Sequence, residues 1–114
     1  MSAGRFNTAS GDYSSVSGGG GASSGSNGNL ASGNYASVSG GRKNIASGDY
    51  SSVNGGNEGT ASNASASVSG GRRNIASGVR ASVSGGSTNT ADEDYSAIGG
   101  YVTQNTSSAY QFLP

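Results

Sequence analysis

The sequence lacks cysteine, histidine and tryptophan, and its single proline is Pro114. Without cysteine there is no disulfide framework, no thiolate nucleophile and no cysteine metal site. Without histidine the commonest general base and metal ligand are missing, and no Ser–His–Asp triad can form. Glycine does not recur at every third residue, which excludes collagen. We therefore predict that the chain is not an enzyme and holds no cofactor or metal.

Charged residues and long apolar runs are also scarce. Six basic residues balance six acidic ones, so no net field attracts nucleic acid or an anionic membrane. No apolar run approaches the roughly 18 residues of a membrane span, and we expect no membrane insertion. Residues 1–6 lack the apolar stretch of a secretory signal. We expect either a signal outside this sequence or release of the protein by cell lysis.

Glycine and serine dominate what is present, with 22 and 25 residues. Such a composition is typical of flexible linkers and disordered tracts. The apolar residues are mostly alanine and valine, whereas a conventional core needs many large side chains, each contributing roughly 1.5–3 kcal/mol on burial. A folded form must therefore depend on backbone hydrogen bonds and on close stacking of small residues.

An internal repeat argues against the linker interpretation. The pattern Asn-x-Ala-Ser-Gly-x-Tyr-x-Ser-Val-Ser-Gly-Gly recurs, and its aliphatic residue returns every 15 residues from Val38 to Ile98. The first interval, from Val16 to Val38, is 22 residues, which indicates a half-repeat insertion near residues 20–28. In the clear copies the alanine precedes the aliphatic residue by seven positions, a regularity that compositional drift would not keep.

Two short β-favouring pieces and two glycine-rich corners fit one coil of a parallel β-solenoid. Pieces such as residues 36–40 are predicted strands, and the Gly-Gly pairs are predicted corners with positive φ. Coils about 4.8 Å apart would give a rod on the order of 30 Å long. We predict an all-β fold with about six 15-residue coils at residues 7–100, an N-terminal cap at 1–6 and a C-terminal cap or junction segment at 101–114.

Alternation along the strands predicts a column of apolar side chains outside the core. Ile45 and Ala46 are adjacent and must face opposite sides of a strand. With the alanines inside, the aliphatic residues form an exterior surface on which identical chains can pack. This predicted oligomer-packing column consists of Leu30, Ile45 and Ile75.

Two further columns are candidates for surface recognition. A tyrosine-rich column offers rigid amphipathic area for a carbohydrate or protein, although such a ladder can also shield a corner and fix the register. A charged edge after the Gly-Gly pairs is open to two interpretations, charge pairing between coils or chains, or a basic patch for sialic acid, sulfated glycan or phosphate. The tyrosine-rich column holds Tyr13, Tyr35, Tyr50, Arg80 and Tyr95, and the charged edge holds Arg42, Lys43, Glu58, Arg72 and Arg73.

The repeat resembles the YadA-like head of trimeric autotransporter adhesins and related modules of phage and viral fibres. That family carries a Ser-x-Ala-Ile-Gly type motif, which is similar to residues 95–99, and the other copies have Ser-Val-Ser-Gly-Gly instead. The resemblance covers residues 7–100. It implies a left-handed parallel β-roll, a homotrimer of intertwined or side-by-side chains, and an adhesive role outside the cell.

We therefore expect an extracellular adhesive or structural fibre module, on a cell surface or a virion, that contacts a host surface glycan or protein. The sequence shows no coiled-coil stalk, neck or membrane anchor, so we expect a head fragment, a phage fibre tip or a filament subunit. Two alternatives stay open: a self-assembling extracellular filament subunit, and an ice-binding solenoid. An ice-binding solenoid needs regular hydroxyl rows, and the rows available here are serine rather than threonine.

Overall fold

Each repeat forms one coil that contributes two short strands. The computed structural model describes residues 4–20 and 28–114. The strands are two residues long because corner residues take up the rest of each period. The strand predicted at residues 36–40 is therefore shorter than expected and spans only Ser37–Val38. They are β1 (Thr8–Ala9), β2 (Ser15–Val16), β3 (Leu30–Ala31), β4 (Ser37–Val38), β5 (Ile45–Ala46), β6 (Ser52–Val53), β7 (Thr60–Ala61), β8 (Ser67–Val68), β9 (Ile75–Ala76), β10 (Ser82–Val83), β11 (Thr90–Ala91), β12 (Ala97–Ile98) and β13 (Phe112–Leu113).

The strands build two parallel sheets. The odd-numbered strands from β1 to β11 form a six-stranded sheet, here called the alanine sheet, and β2, β4, β6, β8, β10, β12 and β13 form the seven-stranded valine sheet. Every repeat stacks on the next in register, so that Ala46 pairs with Ala61 and Val53 with Val68. The molecule measures 36 by 27 by 16 Å. The predicted parallel β-solenoid of stacked coils is confirmed.

The core between the sheets consists of small side chains. Ala46 and Val53 are fully buried, as are their equivalents from Ala31 to Ala91 and from Val16 to Ile98. Ile45, next to Ala46, is only half-buried on the outer face, and Ile75 is 37% exposed. The predicted alternation of inner and outer side chains is therefore confirmed.

A ladder of buried asparagines joins each coil to the next. The Asn44 Nδ2 donates to the carbonyl oxygens of Gly40 and Gly56 at 2.8 and 3.1 Å, and its Oδ1 accepts the N–H of Gly59 at 2.8 Å. One side chain thus satisfies three backbone groups at a corner where the strands have ended. The asparagine ladder consists of Asn7, Asn29, Asn44, Asn74 and Asn89, all of them buried.

Gly59 interrupts the asparagine ladder, and filling the gap is expected to stabilise the protein. A Cβ at Gly59 would lie 3.2 Å from Asn44 Oδ1 and 3.2–3.3 Å from methyl groups of Val53 and Val68. That contact is tight, but asparagine occupies this position in five of the other six coils, and Gln104 occupies it in the last. We expect Gly59→Asn to raise the free energy of unfolding by about 1–2 kcal/mol, because it adds ladder hydrogen bonds and restricts the unfolded chain.

Urea denaturation measures this gain, with Gly59→Ala as the control that adds the Cβ without the amide. An equal gain from alanine would show that the hydrogen bonds contribute nothing at this position.

The Gly-Gly pairs lie at one corner of each coil, and only the second glycine of a pair has positive φ. This angle is +83° at Gly41, +90° at Gly56 and +83° at Gly71. A Cβ at Gly71 would lie 2.2 Å from the carbonyl oxygen of Gly86 in the next coil, whereas a Cβ at Gly70 would meet no atom within 4 Å. At the predicted corners, the positive φ thus belongs to the second glycine of the pair alone.

The strand-pairing register continues on both sides of the regular 15-residue repeats. Thr8 pairs with Leu30 across the 22-residue interval, and the bulk of the predicted half-repeat insertion, residues 21–27, lies outside the described residues. Arg5 bridges Gly20, so residues 4–6 already follow the coil pattern. In the segment predicted as a cap or junction, Leu113 pairs with Ile98, and residues 101–114 form a seventh coil of atypical composition.

Candidate functional site

The second corner of each coil is a turn that presents the tyrosine-rich column. In the coil of Tyr35, the N–H of Ala36 donates to the carbonyl oxygen of Gly33 at 3.1 Å, and the N–H of Tyr35 donates to the carbonyl oxygen of Asp12 in the preceding coil at 2.7 Å. The turn closes with Tyr35 at φ +59°, in the left-handed region. Its ring projects outward and is 50% exposed.

The rings of this column stack in two groups. Tyr13, Tyr35 and Tyr50 lie with ring centroids 4.9 and 5.0 Å apart and planes within 12° of parallel. After Ser65, which has no ring, Arg80 places its guanidinium 5.4 Å from the ring centroid of Tyr95 and donates to the Tyr95 hydroxyl at 3.2 Å. The structure therefore brings together all the residues predicted for this column, in two stretches.

Tyr110 extends the column and was missed in the sequence. Its ring stacks on Tyr95 at 4.9 Å and is 77% exposed. The signal was available, since Tyr110 follows Tyr95 by 15 residues, but the last coil lacks the alanine and the Gly-Gly pair that mark the other copies.

Every residue of the tyrosine-rich column has a positive φ. The angle lies between +56° and +62° in all seven coils, including Ser65 and Arg80. For a residue other than glycine this conformation costs roughly 1–2 kcal/mol, and asparagine adopts it more readily than tyrosine. The tyrosines therefore occupy corners whose backbone conformation favours smaller residues. Backbone preference does not explain why tyrosine is found there.

An acidic column lies beside the tyrosine-rich one and has a structural role. The Asp49 Oδ1 accepts the N–H of Asn34 at 3.0 Å, and the Asp94 Oδ1 accepts the N–H of Val79 at 2.8 Å. Asn34 makes the same contact with Asp12, so the hydrogen bond does not need the charge. Within residues 4–20 and 28–114 no three acidic side chains come close enough together to hold a metal ion.

Three residues of the charged edge form ion pairs within the chain. Glu58 lies between Lys43, whose Nζ is 3.9 Å from Oε1, and Arg73, whose Nε is 2.8 Å from Oε2. The hydrogen bond from Arg73 holds the pKa of the Glu58 carboxyl below its usual range, and the charges of Arg73, Lys43 and Arg72 act in the same direction. Arg42 and Arg72 are exposed one position earlier in their coils.

The predicted oligomer-packing column borders an open groove. The groove has a volume of about 490 Å³, and Leu30 and Ile45 form part of its floor beside Phe6, Lys43 and Glu58. Ile75 follows Thr60 in the same column but is not part of the groove lining. The aliphatic side chains thus form a short apolar strip on the outer face of the alanine sheet.

The serine rows lie on the opposite face. Ser37, Ser52, Ser67 and Ser82 are outward-facing residues of the valine sheet and are half-buried. In the part of the chain that the structure describes, no helix is long and apolar enough to cross a membrane.

The fold defines this chain as a parallel β-solenoid repeat protein whose surface is organised in columns. Comparison with models of known protein families and with curated proteins finds no match.

Proposed function

We propose that this chain is a non-enzymatic adhesive fibre module that contacts a host surface glycan or protein through its tyrosine-rich column. The observation that carries the proposal is the stacking of exposed tyrosines at left-handed corners. Tyrosine there costs stability relative to asparagine, and its ring stays in contact with solvent. Because the faces of neighbouring rings cover one another, the column offers ring edges and hydroxyl groups, a rigid amphipathic surface of the kind that tyrosine supplies at interfaces.

The module works outside the cell as a homotrimer. The core of one chain is thin, because its buried side chains are small (alanine, valine, asparagine, serine and threonine) apart from Ile98. The apolar strip around Leu30 and Ile45 is the surface on which copies pack, which adds the apolar burial that one chain lacks. Light scattering coupled to size-exclusion chromatography should give three times the mass of one chain. A monomer would contradict this assembly, and very large species would indicate the filament subunit instead.

The experiment that tests the contact replaces the first stack with asparagine, as Tyr13→Asn, Tyr35→Asn and Tyr50→Asn together. Asparagine tolerates the left-handed conformation, so the melting temperature should change little. Binding of the wild-type protein to panels of glycans and matrix proteins is expected, and the triple variant should bind at least about tenfold more weakly.

Two results would contradict the proposal. One is an absence of wild-type binding across both panels. The other is unchanged binding by the triple variant together with a lowered melting temperature, because the tyrosines would then serve only to hold the coils in register.

A further inference from the structure

The side-chain charges of this neutral chain are segregated onto the two opposite corners of the solenoid. The corner that follows the Gly-Gly pairs, here called the basic edge, has five cations and one anion, a net of +4. The tyrosine corner has five anions and one cation, a net of −4, and the two together account for all six basic and six acidic residues. The basic edge holds Arg5, Arg42, Lys43, Glu58, Arg72 and Arg73, and the tyrosine corner holds Asp12, Asp49, Arg80, Asp92, Glu93 and Asp94.

Arginine occupies the basic edge in every second coil. Arg42 bridges Asn57, which bridges Arg72, so two coil spacings separate the arginines. With adjacent coils about 4.8 Å apart, their Cα atoms lie roughly 10 Å apart along the axis. Arg5 stands two coils before Arg42, because it bridges Gly20 and the Gly20 N–H donates to the carbonyl oxygen of Gly41. The residues at the same position in the intervening coils, Gly20 and Asn57, are small and neutral.

Two of these arginines form no ion pair with any of the described residues. Glu58 is engaged by Lys43 and Arg73, and within residues 4–20 and 28–114 no carboxylate forms an ion pair with Arg42 or Arg72. Both side chains are exposed. A guanidinium presents a planar fork of donors that matches a sulfate or carboxylate group in bidentate geometry.

We propose that the basic edge binds a linear acidic polysaccharide that runs along the solenoid axis, with anionic groups on one side of the polymer meeting Arg42 and Arg72. This inference goes beyond the tyrosine contact, because it assigns a second ligand class to the opposite corner of the coil. The two proposals rest on different residues and can fail separately.

A single-stranded nucleic acid fits this edge less well. Its bases need a series of aromatic side chains to stack on, and Phe6 is the only aromatic residue among those that line the groove or form the basic edge.

Heparin binding at several salt concentrations tests the proposal, with the double variant Arg42→Gln and Arg72→Gln. We expect the double variant to bind heparin at least tenfold more weakly near 0.15 M salt, on the order of 1 kcal/mol per lost guanidinium contact. The slope of log affinity against log salt should fall by about 1.5, since two fewer cations release counterions.

A second variant tests the spacing at constant composition. The exchange Arg42→Asn with Asn57→Arg keeps the net charge but places the arginines in adjacent coils, roughly 5 Å apart. We expect weaker heparin binding from this exchange, and thermal unfolding shows that each variant is folded.

Three outcomes would overturn the inference. They are equal heparin binding by the exchange variant, equally tight binding of a single-stranded oligonucleotide, and a change in oligomer mass in the double variant without heparin. The last would assign the basic edge to the acidic corner of a second copy.

Discussion

Replacing Gly71 with alanine is expected to lower the free energy of unfolding by about 2–5 kcal/mol, from backbone strain and overpacking together. Gly71 has φ +83°, where alanine is strained, and the added Cβ would lie 2.2 Å from the carbonyl oxygen of Gly86 and 2.5 Å from Asn74 Nδ2. The Gly86 oxygen belongs to the next coil and cannot move away without separating the coils. The strain therefore acts on the stacking that holds the fold together.

Gly70→Ala is the matched control, because it adds the same methyl group one residue earlier. Gly70 is not among the glycines with positive φ, and its Cβ would meet no atom within 4 Å. We expect Gly70→Ala to leave stability unchanged or to raise it by up to about 1 kcal/mol, since alanine restricts the unfolded chain. Urea denaturation of the two variants measures the difference. Similar losses in both would show that the corner does not depend on the left-handed conformation of its second residue.

The contrast within the Gly-Gly pair shows how far the sequence predicts the fold. The 15-residue period fixes which residues lie in the same column, so the two sheets and the inward alanines and valines could be predicted. The period carries no information on φ. Two adjacent glycines such as Gly70 and Gly71 look alike in sequence, and only the approach of the next coil distinguishes them.

The tyrosine corner was harder to predict for a related reason. Residue preference argues against a left-handed conformation at Tyr13, Tyr35 and Tyr50, so the sequence gives no local signal for it. At Tyr35 and Tyr50 the conformation accompanies a turn hydrogen bond together with a second bond to the preceding coil, and the second exists only once the coils are stacked. Tertiary contact overrides residue preference at each of these corners.

The sequence was enough to assign residues to the candidate surface columns. It was not enough to predict which residues of a column pair with one another. Lys43, Glu58 and Arg73 were placed on one charged edge, yet the pairing of Glu58 with both cations depends on side-chain conformation. Arg5 was assigned to a terminal cap because no full repeat precedes it. Its bridge to Gly20 places it on the basic edge, but the 22-residue interval between Gly20 and Arg42 hides this alignment in the sequence.

The asparagine ladder is the second feature on which stability is expected to depend strongly. Asn44→Ala removes three hydrogen bonds and leaves the buried N–H of Gly59 and the half-buried carbonyl oxygen of Gly40 without their partner, whereas the Gly56 oxygen keeps the N–H of Arg42. Each group left unsatisfied costs about 1 kcal/mol or more, so we expect a loss of about 2–3 kcal/mol in the free energy of unfolding. Asn44→Leu should not restore the lost stability, because the missing interactions are polar.

Asn54→Ala is the matched control for this change, because Asn54 is exposed and stands where most other coils have serine. It should alter stability by less than about 0.5 kcal/mol. Denaturation curves for the two variants, with hydrogen exchange at the Gly59 amide, measure the effect and locate it. Faster exchange at Gly59 in Asn44→Ala would show that the ladder itself has opened. A loss equal to that of Asn54→Ala would instead mean that the corner carbonyls are satisfied by water, and that the coils are held by the two sheets alone.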